Sequence, residues 1–401
     1  MAKHRPVLIA GGGIGGLSTA IALARAGFDS TVLERSSFTE ESGAGIQLGP
    51  NATRLLRELG ILDAIASSAF TPEAIFLFDG VSGRKLATVP LGAHAERRYG
   101  APYLTLHRAD LHAGLRASAD ALAPVTLTSG FDVAGIEASD ETVAVANIDG
   151  TMAEGAALVG ADGLWSTVRN AVAPDAQLHF SGATAFRALL PLSGLPSPFS
   201  APVVGLWLGP KAHLVHYPVR GGEALNVVAV IEGGGEAQGW NREGDRDSLL
   251  SGFTRWCKES KSLLEGVGAW RAWSLYRLSP LASWSQGPIT LLGDAAHPVL
   301  PYLAQGAALA IEDAATLADA LAAERHDPAS AFARYEAVRR PRATRLQRTS
   351  RRFGWIYHVQ GPARFARNLV LASRDEETAL DRFDWLYGEA ALNSPRPRAG
   401  V

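Results

Sequence analysis

Three short runs, residues 6–10, 156–160 and 289–292, are almost wholly apolar and end on glycine or aspartate. Runs of four or five apolar residues bounded by turn residues read as strands buried on both faces, as parallel sheets require. After the first run, residues 15–26 have helical character. Residues 30–33 then form a second apolar run that stops at Glu34, which completes a strand–helix–strand unit. Residues 51–62 predict a short helix with Asn51 as its cap. Residues 74–89 alternate apolar and polar as a hairpin does, with Asp79-Gly80 at the turn. A helix begins within 106–111. Segments 125–127, 133–137 and 142–148 predict a small antiparallel meander. After Asp162-Gly163 a helix starts, with Ser166 as its cap. Segments 203–208, 212–219 and 225–231 predict two hairpins joined through glycine-rich turns. Residues 247–265 and 306–323 are helical in pattern, and the chain stays mostly helical to about residue 386.

The glycines at the first turn give the pattern chemical content. Gly11, Gly13 and Gly16 satisfy G-x-G-x-x-G between a strand and a helix, and Glu34 follows near the expected distance. Gly11 permits the tight turn, Gly13 lets backbone approach a pyrophosphate, and Gly16 lets helix and strand pack closely. The helix N-terminus offers free N–H groups to phosphate, and Glu34 would accept from ribose hydroxyls. A purely structural glycine turn explains the glycines but not the acid. Which dinucleotide binds is left open by these residues. The remaining nucleotide-type strands arrive late, separated by insertions, so the nucleotide domain is discontinuous. It is assigned to 1–73, 100–180 and 280–325. A β-rich substrate domain takes 74–99 and 181–279, a helical region 326–392, and a tail 393–401. The expected fold is α/β, a Rossmann-like domain interleaved with a β-sheet domain and followed by a helical C-terminal region. A nicotinamide dehydrogenase would keep its fold contiguous, and there is no second G-x-G-x-x-G. A nicotinamide would therefore bind only transiently.

Composition narrows the partners. With 401 residues, 47% hydrophobic and 19% charged, the chain is globular in type, and a net charge of −2 gives no basis for nucleic acid as a main partner. A single cysteine, Cys257, excludes an internal disulfide and has no activating neighbour in sequence. No apolar run reaches the ~20 residues of a membrane span. A cytoplasmic protein with no metal site is expected. Trp207, Trp270, Trp273 and Trp284 read as core or pocket wall. Arg339, Arg340, Arg342, Arg345, Arg348, Arg351 and Arg352 read as a solvated helix face.

Three motifs in order, 11–16 with Glu34-Arg35, 160–163 with Arg169, and 293–298, resemble the single-component FAD-dependent aromatic hydroxylases of the para-hydroxybenzoate hydroxylase fold. Residues 293–317, 43–51 and 107–111 are most similar to the salicylate, 3-hydroxybenzoate and 6-hydroxynicotinate monooxygenases. The resemblance implies FAD, with NADH or NADPH as a transient donor. Gly11, Gly13, Gly15 and Gly16 would cradle the pyrophosphate, Glu34 and Arg35 hold the adenosine end, and Arg108 lies near the pyrophosphate. Asp294 would bond the ribityl region, Asp162 would support FAD and nicotinamide, and Gln47 would sit near the flavin. The helix starting at Gly306 would direct its positive end to the anionic reduced flavin.

The implied reaction consumes O2 and NAD(P)H to hydroxylate a small hydroxylated aromatic or pyridine carboxylate, with decarboxylation when the attacked carbon bears the carboxylate. An FAD-dependent oxidoreductase that inserts no oxygen is the alternative, and a nucleotide-binding protein without catalysis is a third. Electrophilic oxygen transfer needs an electron-rich ring, hence a base that holds the phenol as phenolate. His213 and Tyr217, four apart on one strand, share a face and are the expected catalytic pair, while His216 points away. His297 is a competing base. Pro301 and Tyr302 would lie close to the substrate ring. The resemblance also implies a homodimer.

Overall fold

The three buried apolar runs lie side by side. In the computed structural model, which describes residues 5–38, 44–139, 142–233, 235–236 and 242–388, strand Val7–Ala10 sits inside a six-stranded sheet. It pairs in parallel with Ser30–Glu34 on one side and Ala157–Gly160 on the other. Ile289–Leu291 extends the sheet beyond Ala157–Gly160, and Val125–Ser129 extends it beyond Ser30–Glu34, again in parallel. All four residues of Val7–Ala10 are buried. Leu8 and Ile9 are at most 1% exposed, and each such side chain stabilises the fold by about 1.5–3 kcal/mol. Val125–Ser129 therefore departs from the expected meander. Its place beside 133–138 and 143–147 is taken by Met152–Gly155. Short apolar strands suit either partner, and the order of the parallel sheet decided.

Helix Ile14–Arg25 covers one face of this sheet and packs against helix Gly306–Ala323. Gly15 lets them close, since a Cβ there would come within 2.8 Å of the Leu292 side chain and 3.4 Å of Ala310. Asn51 does not cap its helix. The helix runs Pro50–Glu58 from a Gly49 cap, and the Asn51 amide instead donates to Gln305 Oε1 (3.0 Å) and Glu312 Oε1 (2.6 Å). The region 247–265 splits into Arg246–Ser251 and Lys258–Glu265.

The β-rich middle forms an eight-stranded sheet in the order Arg242–Glu243, Arg271–Leu278, Leu178–Pro191, Ala224–Glu232, Ala212–Val219, Val204–Gly209, Ala74–Asp79, Lys85–Pro90. One face buries Phe186, Trp207, Leu214, Val227 and Trp270 in a core of its own. His216 is on that face, edge-on to Phe199 at 5.0 Å, with neither ring nitrogen hydrogen-bonded. Burial pushes its pKa down to about 3, so it stays neutral. The opposite face carries His213, Val215 and Tyr217 from one strand with Asn226, Val228 and Val230 paired to them.

On the long helix Pro328–His358, Arg345, Arg348, Arg351 and Arg352 are exposed as a solvated face requires, but Arg339 and Arg342 turn inward. Arg339 is 1% exposed; it meets Glu312 at 2.7 Å and Asp313 at 2.7 Å. Arg342 donates twice to Glu312. Two adjacent acids on the apolar helix Gly306–Ala323 face this helix and must be neutralised once buried. No described helix is long and apolar enough to cross a membrane. Gly43 of the glycine-rich loop and the tail 393–401 lie outside the described residues.

Candidate active site

The carboxyl ends of the parallel strands bring the sequence motifs together. Gly11 follows the central strand, Asp162 its neighbour, Asp294 the next, and Glu34 ends the strand on the other side. This is the crevice where open parallel sheets bind ligands. Gly11 has φ +101°, and a Cβ there would lie 2.4 Å from Ala161 O; a Cβ on Gly16 would lie 1.9 Å from Gly11 O. Both glycines are required by the backbone itself. Gly13 differs, because a Cβ there meets no atom within 4 Å. Its openness fits a ligand pressed against the helix N-terminus. Glu34 accepts from Gly12 N (2.6 Å) and from Ser36, and exposed Arg35 follows it.

Asp162 Oδ2 accepts from Thr167 N and Val168 N, which starts the short helix Val168–Val172, while its buried Oδ1 has no partner. The Ser166 hydroxyl accepts from Arg169 N (2.9 Å), although the N-cap position of this helix is the next residue, Thr167. Arg169 is buried, donates to Leu164 O and Ala295 O, and is attracted to both Asp162 and Asp294. Desolvation raises the Asp294 pKa against the pull of His297, Arg108 and Arg169. Arg108 is open to solvent, yet surrounding protein lowers its pKa, and Asp294 opposes that shift. A cation both accessible and desolvated is one lining a cleft. The set suits a dinucleotide: an open glycine turn, an orphaned buried carboxylate oxygen, and two arginines beside the acids. Gly13→Val is expected to leave the fold intact and weaken FAD binding at least tenfold in a flavin fluorescence titration. The same change at Gly16 should prevent folding.

The second part of the site lies between the eight-stranded sheet and residues 298–305. Leu206, Val215 and Val228 stay partly exposed on internal strands, as do Leu300 and Tyr302, which pack toward that face. Partial exposure from both sides defines a cavity. His213 and Tyr217 both face it, at opposite ends of a stretch of about 13 Å with Val215 between. They do not converge on one point. His213 is grouped with Tyr302 (ring centroids 5.3 Å), Tyr357 (5.5 Å) and His358. Burial and His358 push its pKa well below the usual histidine value. Tyr217 hydrogen-bonds Gln47 and senses the charge of Arg187, and burial holds its phenol well above the usual range. Gln47 also accepts from Tyr103 Oη (2.7 Å). Its strand is tied to the sheet by Gly45 N donating to Asn226 Oδ1 (2.7 Å).

Pro301 is exposed at the start of the short helix Pro301–Leu303, and Tyr302 forms the wall behind His213. His297 is 2.6 Å from Asp313 Oδ2 and packs on Trp284 at 4.7 Å, buried beneath the cleft. It holds its loop and does not face the cavity as a base would. Gly306 begins its helix next to Gln305, whose side chain is held by Asn51. Two residues carried no sequence signal. His112 Nε2 lies 2.8 Å from Gly12 O and ties a second helix to the glycine turn. Arg187, on strand Leu178–Pro191, is partly exposed with its guanidinium 4.7 Å from the Trp273 ring centre. Desolvation first, then Arg108 and Arg271, bring its pKa down to about 10. The charges of Arg108 and Arg271 reach Arg187, and positive potential of this kind favours an anionic guest.

A discontinuous parallel sheet with this cradle, set against a second sheet across a cavity, defines a dinucleotide-dependent flavoprotein. The family described as FAD binding domain matches residues 4–350. The 3-hydroxybenzoate 6-hydroxylase of Polaromonas naphthalenivorans is 38% identical over 383 residues, covering 96% of each chain. A 3-amino-4-hydroxybenzoate 2-monooxygenase of Streptomyces platensis is 38% identical over 395 residues, 98% of each chain. A solved salicylate hydroxylase substrate complex superposes with a TM-score of 0.81 at 25% identity, covering 96% of each chain. The chain belongs to the FAD-binding family of aromatic-ring monooxygenases. Its cofactor is FAD, with NAD(P)H as electron donor.

Proposed function

We propose that the protein hydroxylates a small aromatic or pyridine carboxylate that already bears a ring hydroxyl, of the 3-hydroxybenzoate, salicylate or 6-hydroxynicotinate type. One observation carries this reading: one face of the sheet presents a buried neutral histidine, His213, and a cation, Arg187, two strands away in the row of Val215 and Val228. A planar ring over the valines would present its hydroxyl to His213 and its carboxylate to Arg187 and Tyr217. His213 takes the hydroxyl proton, and Tyr217, protonated at any physiological pH, donates to the guest. Pro301 and Tyr302 close the cavity on the loop side. Gly11, Gly13, Gly15 and Gly16 hold the pyrophosphate, Glu34 and Arg35 the adenosine end, and Arg108, Asp162 and Asp294 the middle of FAD. Gln47 and the N-terminus at Gly306 flank the flavin ring. FAD, when bound, supplies the electron transfer from NADH or NADPH and the delivery of one oxygen atom from O2. Decarboxylation accompanies the reaction if the attacked carbon carries the carboxylate. The protein works in the cytoplasm, where its nicotinamide donor is regenerated.

The test is NADH and NADPH oxidation with a panel of hydroxybenzoates and hydroxynicotinates, followed by product mass. Gain of one oxygen atom is expected; tight coupling to another acceptor with no oxygen gained would favour the dehydrogenating alternative. Arg187→Met is expected to raise KM for the carboxylate roughly ten- to a hundredfold, the worth of a charge-assisted hydrogen bond. The matching carboxamide should be unaffected, and equal losses for both would remove Arg187 from recognition. A homodimer is part of the proposal. Phe365 and Leu369, 65% and 72% exposed and four apart on helix Gly361–Ala372, offer an apolar face for it. Leu369→Asp should halve the mass in sedimentation if that face is used.

A further inference from the structure

The candidate base is buried, so the proton it takes needs a way out. His213 Nδ1 lies 2.8 Å from His358 Nε2, and His358 Nδ1 lies 3.0 Å from Glu232 Oε1. His213 and His358 are each 3% exposed, whereas the Glu232 side chain is 45% exposed. The chain of three groups thus runs from the cavity to solvent. Its geometry is fixed by backbone: Lys211 N donates to His358 O (3.0 Å), and Glu232 N donates to Lys211 O (2.8 Å). Tyr302 and Tyr357 wall the two imidazoles, and Lys211 is the other charge acting on Glu232.

Glu232 also sets the tautomers. Its pKa is lowered, chiefly by the hydrogen bond to His358, so it is a carboxylate that can only accept. His358 Nδ1 must therefore carry a proton, and the relay runs in the tautomer whose Nε2 is free to accept. His213 Nδ1 then donates to it, and His213 Nε2 is left with the lone pair a base requires.

We propose that His213, His358 and Glu232 form a proton relay that carries the substrate's ring-hydroxyl proton from the cavity to solvent. It rests on the assignment of His213 as base and goes beyond it. As the substrate O–H breaks, the proton bonds to His213 Nε2. The proton on His213 Nδ1 passes to His358 Nε2, that on His358 Nδ1 passes to Glu232, and Glu232 releases it to water. The reverse sequence returns a proton when the hydroxylated product needs one. His358 and Glu232 are positioning and transfer residues and do not touch the substrate.

The experiment is stopped-flow mixing of the FAD-loaded protein with 3-hydroxybenzoate in weak buffer containing phenol red, without NAD(P)H. The wild type is expected to release about one proton per site on binding. His358→Gln and Glu232→Gln should slow the release roughly tenfold or more with 3-hydroxybenzoate affinity retained. Added imidazole should restore the rate in His358→Ala, which a purely structural role would not allow. Glu232→Gln, a change at an exposed side chain, keeps the test valid if the His358 variants fold poorly. Proton release at the wild-type rate in Glu232→Gln and His358→Gln, with His213→Ala silent, overturns the relay and leaves the base assignment standing. A wild type that binds 3-hydroxybenzoate without releasing a proton overturns both.

Discussion

His213→Ala is expected to slow hydroxylation by roughly 10²–10⁴-fold near neutral pH, the range a positioned general base supplies. The FAD dissociation constant should not change, because His213 lies on the substrate face of the eight-stranded sheet and the glycine cradle belongs to the other sheet. The pH dependence distinguishes this from simple damage. Burial first, then His358, lowers the His213 pKa, so the imidazole stays neutral and able to accept a proton well below the ordinary histidine value. The wild-type rate should therefore hold as pH falls through 6.5. The variant should recover as pH rises toward the phenol's own ionisation, near 10 for an unperturbed phenol. Tyr217→Phe should act differently. Its hydroxyl sits near Arg187 and Gln47, at the carboxylate end, so KM should rise roughly tenfold with a smaller change in kcat. Coupled turnover at wild-type rate in His213→Ala would move the base elsewhere.

Arg339→Met should destabilise the protein by roughly 3–5 kcal/mol, the cost of leaving a buried ionic partner uncompensated. Glu312 and Asp313 are both 0% exposed, and Arg339 contacts each of them. Arg342 and Asn51 would still serve Glu312, but Asp313 would keep only His297 and Gly293 N. The Tm should fall by on the order of ten degrees. FAD should be lost before the global transition, because Asp313 holds the loop that presents Asp294. Acid should act on the same network. Burial alone would raise the Asp313 pKa; His297 and Arg339 outweigh it and bring it down to about 2, against 3.8 for the free group. Because the folded value is the lower one, this contribution is complete above about pH 3.8 and disappears as pH falls toward 2. A variant with wild-type Tm and flavin retention would show that the two acids are neutralised by other means.

The cofactor half of the site was legible because its signals are local. Gly11, Gly13 and Gly16 are dictated by one turn and one helix start, and Glu34, Asp162 and Asp294 each end a recognisable apolar strand. His213 and Tyr217 could be placed on one face by the period of two alone. That period could not show what packs against each of them, because it fixes direction and not what lies opposite. Asn51 looks like a cap to its neighbours in sequence. Its partners Gln305 and Glu312 are 254 and 261 residues away, and two charge-assisted or amide bonds in a buried setting outweigh one exposed cap. Arg339 and Arg342 of the long helix misled for the same reason, since a helical spacing of charges does not reveal which face meets buried acids.

The sequence by itself determined a glycine turn between a strand and a helix, and that the parallel strands are interrupted by β-rich insertions. Both depend on residues close along the chain, where steric and hydrogen-bond rules act directly. Only the tertiary structure decided what surrounds His213 and Tyr217. Arg187, two strands over from His213, shares its face because its register pairs it with Val228, and His358 meets His213 across 145 residues. Chemistry of that kind is created when distant segments pack, and a pattern along the chain carries no record of it.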